Sequence, residues 1–311
     1  VVSADRRVLL IFLDGIGLGE DDPATNPFAA AETPTLHALA GGQPWLQTTP
    51  RVSGARSAFA AVDPRMGVPG RPQSASGQAA ILTGRNVPAL IGEHYGPRPN
   101  PPIRALLKED NLFKQVVARG DSAALLEGYP PRFHEAIARG KRIPSSYQDA
   151  ALQAGLPLLD ETAVATGEAM TVDWTGAAWR DHLGYADAIV RTPREAGREL
   201  VALARRYRFS FFPHWLTDQV GHRGGVREGV ELLELFDGVM AGALDVWDDD
   251  DGLIVITSDH GNLEDLSHGK HTQNDVPLVV IGAGAQAFAQ GVTTLADVAP
   301  QILAYLYGNE R

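Results

Sequence analysis

Five short apolar runs punctuate the chain: Val8–Leu13, Ser122–Leu126, Phe209–Phe212, Leu253–Thr257 and Val276–Ile281. They are nearly continuous rather than alternating, which predicts strands buried on both faces. Helical patterns lie between and after them, over Asn111–Arg119, Pro193–Tyr207, Val226–Trp247 and Leu295–Tyr307. Strands alternating with helices imply an α/β fold with a largely parallel sheet covered on both faces. In such sheets ligands bind beyond the carboxyl ends of the strands. Three of the runs lead into polar clusters, Asp14, Thr217–His222 and Asp259–His260, so the topology points to one shared site.

The middle of the chain has a different texture. Residues 129–190 hold Pro130-Pro131, short helical pieces such as Arg132–Arg139 and Ser146–Ala154, and few strand signals. This stretch reads as a small insertion or lid in a discontinuous core of residues 1–128 and 191–311, and 311 residues suit such a plan. No repeat or low-complexity tract is visible. The acidic run Asp248–Asp251 reads as a solvated turn, since it lacks the glycine and glutamate spacing of a calcium hand.

Composition narrows the function classes. Apolar residues make up 44% and charged residues 21%, as in soluble globular proteins. A net charge of −11 without a basic tail argues against a nucleic-acid partner. Anionic ligands then require local positive charge from metals or helix N-termini. The absence of cysteine excludes disulfides, thiolate metal sites and cysteine nucleophiles together. The apolar run near the N-terminus is six residues long, too short for a signal-peptide core or a membrane span. The expectation is a cytoplasmic protein with no membrane partner.

Four segments carry candidate chemistry. In "LTDQVGHRG", Asp218 and His222 are four apart, so one helical turn would put both on one side, within reach of one cation. Gly221 equally permits a loop, and an N-cap aspartate beside an unrelated surface histidine would look the same. In "SDHGNLEDLSHGKHTQNDVPL", Asp259 and His260 follow a strand, and His268 and His271 come soon after. Three of the chain's nine histidines thus share one short loop. Imidazole with carboxylate suits Zn2+ or Mn2+ better than Mg2+. In "PQSASGQAAILTGRN", Ser74 or Ser76 would stand near a helix N-terminus, which favours a phosphoryl group, although either serine could be a simple N-cap. In "FLDGIGLGEDD", Asp14 ends a strand before glycines that allow close backbone approach. The acidic residues Glu20-Asp21-Asp22 and the missing fingerprint exclude a dinucleotide site.

Taken in order, these segments resemble the alkaline phosphatase superfamily, and within it the branch of the cofactor-independent phosphoglycerate mutases and phosphopentomutases. The resemblance rests on "FLDGIGLG" with "TPTLHAL", on "QSASGQAAILTG", on "TDQVGHRG", on "TSDHGN…KHTQNDVPL", and on the closing "LADVAPQILAYL". It implies an alkaline-phosphatase-like three-layer sandwich with a small inserted lid, and two divalent metal ions, Mn2+ or Zn2+. Asp218, His222 and His271 would hold one. Asp14, Asp259 and His260 would hold the other, with Ser74 also bound to it. Ser74 is implied as the nucleophile because the family's serine stands three residues before a glycine, here Gly77. His268 would stand behind the ligands. The implied reaction is phosphoryl transfer on a small phosphorylated substrate.

The chain also departs from the mutase pattern. Only 143 residues separate Ser74 from Asp218, which leaves room for a small lid rather than a large cap. Gln78 stands where the family's mutases carry a histidine. No arginine-rich cap motif is evident, and the nearest substitute for substrate binding is Arg132, Arg139, Lys141 and Arg142. A metal-dependent phosphomonoester hydrolase or phosphomutase-like enzyme is therefore expected. The alternative is a metal-binding member that has lost catalysis and acts as a sensor or scaffold. A sulfatase is disfavoured, because the formylglycine precursor motif is missing.

Overall fold

In chain order the strands are β1 (Arg7–Leu13), β2 (Val52–Ser53), β3 (Ser57–Val62), β4 (Ala123–Leu125), β5 (Gly128–Tyr129), β6 (Leu159–Asp160), β7 (Phe209–His214), β8 (Gly252–Thr257) and β9 (Val276–Ile281). They come from a computed structural model that describes residues 6–250 and 252–308. The first five residues of the N-terminal stretch, the last aspartate of the Asp248–Asp251 run and residues 309–311 lie outside the described residues. Seven strands form one sheet in the order β2-β3-β9-β8-β1-β7-β4, and β5 and β6 pair separately.

The strands β4, β7, β1 and β8 are mutually parallel. Strand β9 runs against β8, β3 against β9, and β2 against β3, so most of the sheet points one way. The reversal at β9 has a simple cause. No helix lies between β8 and β9 to carry the chain back across the sheet, which is the usual way that parallel neighbours are joined. That loop, Ser258–Asp275, turns over the sheet edge and returns, which keeps both of its ends at the carboxyl ends of β8 and β1. Strand β3 has almost no sequence signal, because "SAFAAV" holds three alanines and one β-branched residue.

Alternate side chains of each central strand feed two separate cores. Val8, Leu10 and Phe12 of β1 pack with Ile81, Phe113 and Ile302 on one face. Leu9, Ile11 and Leu13 pack with Leu200, Phe236 and Met240 on the other. The result is a three-layer α/β sandwich, and it explains why the strand runs are uniformly apolar. Helices Ser74–Thr83, Leu112–Ala118 and Val298–Tyr307 cover the first face, and Pro193–Ala204 and Val226–Val246 the second. The start of Pro193–Ala204 is set by a capping box between Thr192 and Glu195.

From the middle stretch, helix Ser146–Gln153 sends Tyr147, Ala150 and Ala151 into the first core. Helices Pro131–Ala138 and Ala177–Leu183 instead face a cavity at the carboxyl edge of the sheet. At the acidic run, Asp249 pairs with Arg56 at 2.9 Å and Asp248 closes a turn onto the Asp250 amide. Among the described residues, no helix is long and apolar enough to cross a membrane.

Candidate metal centre and its cavity

The central strands β8, β1 and β7 end side by side, and each releases a polar residue at its carboxyl end. Helix Leu216–Arg223 follows β7 directly and places Asp218 and His222 one turn apart on one side. The β8–β9 loop brings His271 against them. His222 Nε2 lies 3.4 Å from Asp218 Oδ1, His271 Nε2 lies 3.6 Å from the same oxygen, and the two Nε2 atoms are 3.1 Å apart. The Nδ1 atoms face backbone carbonyls, His222 toward Gly269 at 3.0 Å and His271 toward Pro72 at 2.9 Å. A carbonyl can only accept, so Nδ1 carries the proton and each neutral ring turns a lone pair inward. Two lone pairs at 3.1 Å cannot bond to each other, but they can share a cation.

A second group adjoins the first. His260 Nε2 lies 3.4 Å from Asp14 Oδ1, 3.7 Å from Asp259 Oδ1 and 3.0 Å from Ser74 Oγ. His260 is wholly buried and its ring stacks on that of His271, with centroids 3.7 Å apart. Ligand atoms of Asp218, His260 and His271 also fall within 4.8 Å of one another, so the two groups are contiguous. Ser74 is the first residue of helix Ser74–Thr83. Ser76, by contrast, is fully buried, donating to the Gln73 carbonyl at 3.2 Å and accepting from the Tyr95 amide at 3.0 Å. Only Ser74 faces the cluster.

Burial and charge together make this an unstable place for bare ligands. Asp14 is held well above the ordinary carboxylate range by burial, then by Asp259 and Asp218. Burial, then the Asp218 charge, pushes Asp259 up to about 7. Burial lowers His260, and burial followed by His260 lowers His271 to about 4. Burial disfavours the charged form of both the carboxylates and the imidazoles, and a bound cation would restore the ionised carboxylates. Asp14 Oδ1 has no hydrogen-bond partner although it is buried. An orphaned carboxylate oxygen among inward-facing imidazoles fits a divalent cation with nitrogen and oxygen donors.

Several further residues set this geometry. Ser258 Oγ accepts from the Ile16 amide at 2.9 Å and donates to the His260 carbonyl at 3.0 Å, tying the β1 and β8 loops together. The buried Glu264 carboxylate accepts from the Gly17 amide at 3.0 Å, the Asn262 amide at 2.7 Å, Asn274 Nδ2 at 3.0 Å and the Thr272 hydroxyl. Asn262 Nδ2 donates to Asp218 Oδ1 at 2.9 Å. The β8–β9 loop thus carries its own internal scaffold.

Asp14, Ser74, Asp218 and His222 also line a cavity of about 1070 Å³. Its lining also includes Arg98, Arg132, Arg142 and the buried Glu127, and the Arg98 charge reaches Asp14. Of the four basic residues expected there, Arg132 and Arg142 line the cavity. Arg139 pairs with Glu135 at the surface at 3.4 Å, and Lys141 is exposed and outside the lining. His268 is half-exposed and lies 3.5 Å from Asp265, turned toward the surface. Arg98 and Glu127 were missed by sequence reasoning. Glu127 had a usable signal, since it follows the apolar run Ser122–Leu126 as Asp14 follows Val8–Leu13. Arg98 sits in a proline-rich loop with no periodicity to place it.

Comparisons with known proteins place the fold and the C-terminal part of the chain. A family described as the metalloenzyme superfamily matches residues 193–309, which include Asp218, His222, Asp259, His260 and His271. The chain is 33% identical over 115 residues to the 2,3-bisphosphoglycerate-independent phosphoglycerate mutase of Methylobacillus flagellatus, covering 35% of this chain and 22% of that protein. The match therefore spans about a fifth of the length of the curated relatives. Over the whole chain the fold is similar to that of the PH0037 protein from Pyrococcus horikoshii, with a TM-score of 0.59, 16% identity, and coverage of 99% and 98% of the two chains. It is also similar to the alkaline phosphatase of the Antarctic bacterium TAB5, with a TM-score of 0.55, 14% identity, and coverage of 98% and 99%. The fold is alkaline-phosphatase-like, and its C-terminal part, residues 193–309, is similar to the metalloenzyme superfamily.

Proposed function

We propose that this protein is a metal-dependent phosphoryl-transfer enzyme, a phosphomonoester hydrolase or phosphomutase, with Ser74 as nucleophile and two divalent cations, Mn2+ or Zn2+. The observation that carries this reading is the pair of inward lone pairs on His222 and His271, 3.1 Å apart, beside the orphaned oxygen of Asp14. Asp218, His222 and His271 hold one cation, and Asp14, Asp259, His260 and Ser74 the other. The bound cations lower the pKa of a serine hydroxyl and neutralise charge on phosphoryl oxygens.

The chain's own residues do the rest. Helix Ser74–Thr83 presents Ser74 Oγ at the floor of the cavity, where it attacks phosphorus as the substrate alcohol leaves. The resulting phosphoserine is then attacked by water, or by a second hydroxyl of a bound substrate, which frees Ser74 again. Arg98, Arg132 and Arg142 line the same cavity and hold anionic groups of the substrate. Within residues 129–190, helices Pro131–Ala138 and Ala177–Leu183 close over the cavity and shield the phosphoserine from bulk water.

The direct test is turnover of a generic aryl phosphate by Mn2+- or Zn2+-loaded protein. Ser74→Ala should lower kcat at least about 1,000-fold while the metal content stays at two ions. Unchanged hydrolysis in Ser74→Ala would sink the serine mechanism. Absence of turnover in both proteins with metal still bound would favour the sensor or scaffold reading. Labelled phosphate appearing on a second hydroxyl rather than in water would separate mutase from hydrolase.

A further inference from the structure

Gln78 is a buried amide in the serine segment, within reach of two aspartates of the candidate centre. It is 3% exposed and lies one helical turn beyond Ser74, on the same side of helix Ser74–Thr83. Its Nε2 is 3.3 Å from Asp14 Oδ2 and 3.2 Å from Asp259 Oδ2. The opposite amide orientation would set a carbonyl oxygen against two carboxylates, so chemistry fixes the nitrogen toward them. One amide nitrogen carries two hydrogens, and here it meets two acceptors.

The other oxygen of each carboxylate is turned elsewhere. Asp14 Oδ1 has no hydrogen-bond partner and lies 3.4 Å from His260 Nε2. Asp259 Oδ1 lies 3.7 Å from the same nitrogen, with only a long contact of 3.4 Å from the Gly15 amide. Ser74 Oγ completes the group at 3.0 Å from that nitrogen. Four donor atoms thus converge, one from each of four residues.

We infer that Gln78 is a positioning residue that clips the outer oxygens of Asp14 and Asp259, so that each carboxylate offers a single oxygen to the cation held with His260 and Ser74. The inference rests on the two-cation reading proposed above. Single-oxygen coordination keeps the protein's share of the site at four donors, which suits Zn2+ and disfavours Ca2+, an ion that takes 6–8 oxygens. An unclipped carboxylate is free to rotate and present both oxygens. A histidine at this position would carry one N–H on the ring nitrogen facing the pair, and so could restrain only one of them. Glutamine restrains both and carries no charge at any pH.

The same segment explains how so short a side chain reaches both aspartates. A Cβ on Gly77 would stand 2.8 Å from the Asp259 carbonyl oxygen and 2.9 Å from Asp259 Cβ. The helix backbone therefore seats directly on Asp259, and only glycine allows that seat. In "SASGQ" the serine supplies an oxygen, the glycine the close approach and the glutamine the clip.

The test is calorimetric titration of metal-stripped protein with Mn2+ and Zn2+, comparing wild type, Gln78→Met and Gln78→His. Wild type should take up two ions. Gln78→Met, close in size but without a donor, should weaken one site about 10–100-fold and leave the other unchanged. Ca2+ should compete measurably at the weakened site and not in wild type. Gln78→His should fall between the two, and it carries the test if Gln78→Met does not fold. Wild-type affinity at both sites in Gln78→Met, or equal loss at both, overturns the inference. Fewer than two ions in the wild type overturns the two-cation reading itself, and this inference with it.

Discussion

Glu127 is enclosed by its own neighbours. Its carboxyl accepts from Trp215 Nε1 at 2.9 Å and from the Tyr129 hydroxyl, and Arg98 and Arg142 are the cations whose charge reaches it. Burial outweighs these partners and pushes its pKa from 4.5 up to about 7. The folded state therefore holds this proton more tightly than the unfolded chain does. The associated stability is fully present below pH 4.5 and is lost as pH rises through 7. Glu127→Gln should leave stability unchanged at pH 4.5 and raise it by roughly 1–3 kcal/mol at pH 8, as read from urea denaturation at both values. A gain of equal size at both pH values would contradict the raised pKa. Single residues of the cluster were partly legible in the chain. Asp14, Asp259 and His260 announce themselves because a polar residue straight after a buried strand has few structural reasons to be there. Asn262 and Glu264 did not, since their role exists only once a loop has folded back on itself.

At the scale of elements, helix Leu216–Arg223 shows propensity and packing in opposition. Alanine is a better helix former than glycine by about 1 kcal/mol, so Gly221→Ala looks stabilising from the sequence alone. In the structure a Cβ at that position would meet the Asn262 side-chain amide at 2.6–2.9 Å. That amide is fully buried and holds Asp218 Oδ1. Gly221→Ala should therefore lower stability by about 1–3 kcal/mol and weaken the cation site of Asp218, His222 and His271. Chemical denaturation and metal titration would show it, and a stabilised variant with intact affinity would refute the packing account. The four-residue spacing of Asp218 and His222 was readable because it repeats the helical turn. The reversed direction of β9 was missed although the missing helix before it was visible, and β3 was hidden by its alanines.

For the whole molecule, the balance of charge decides behaviour. A net charge of −11 surrounds a cavity lined by carboxylates and an inward imidazole of the candidate centre together with three arginines, Arg98, Arg132 and Arg142. Cations bound at the candidate centre would stabilise the fold by mass action, worth about 2.7 kcal/mol at a hundredfold excess over Kd. Chelation should lower Tm, and adding back Mn2+ or Zn2+ at that excess should restore it. An unchanged Tm across both steps would remove the metal centre from the account. By itself the sequence determined the layered α/β plan, because strands buried on two faces must be apolar throughout and helices must repeat at their own period. It also determined the residue types of the site, because donor chemistry is a local property of side chains. The tertiary structure alone decided which of these residues meet. Ser74 rather than Ser76 faces the cluster, Arg98 and Glu127 join the cavity, and Gln78 spans two aspartates, because these contacts depend on where distant segments cross the same sheet edge.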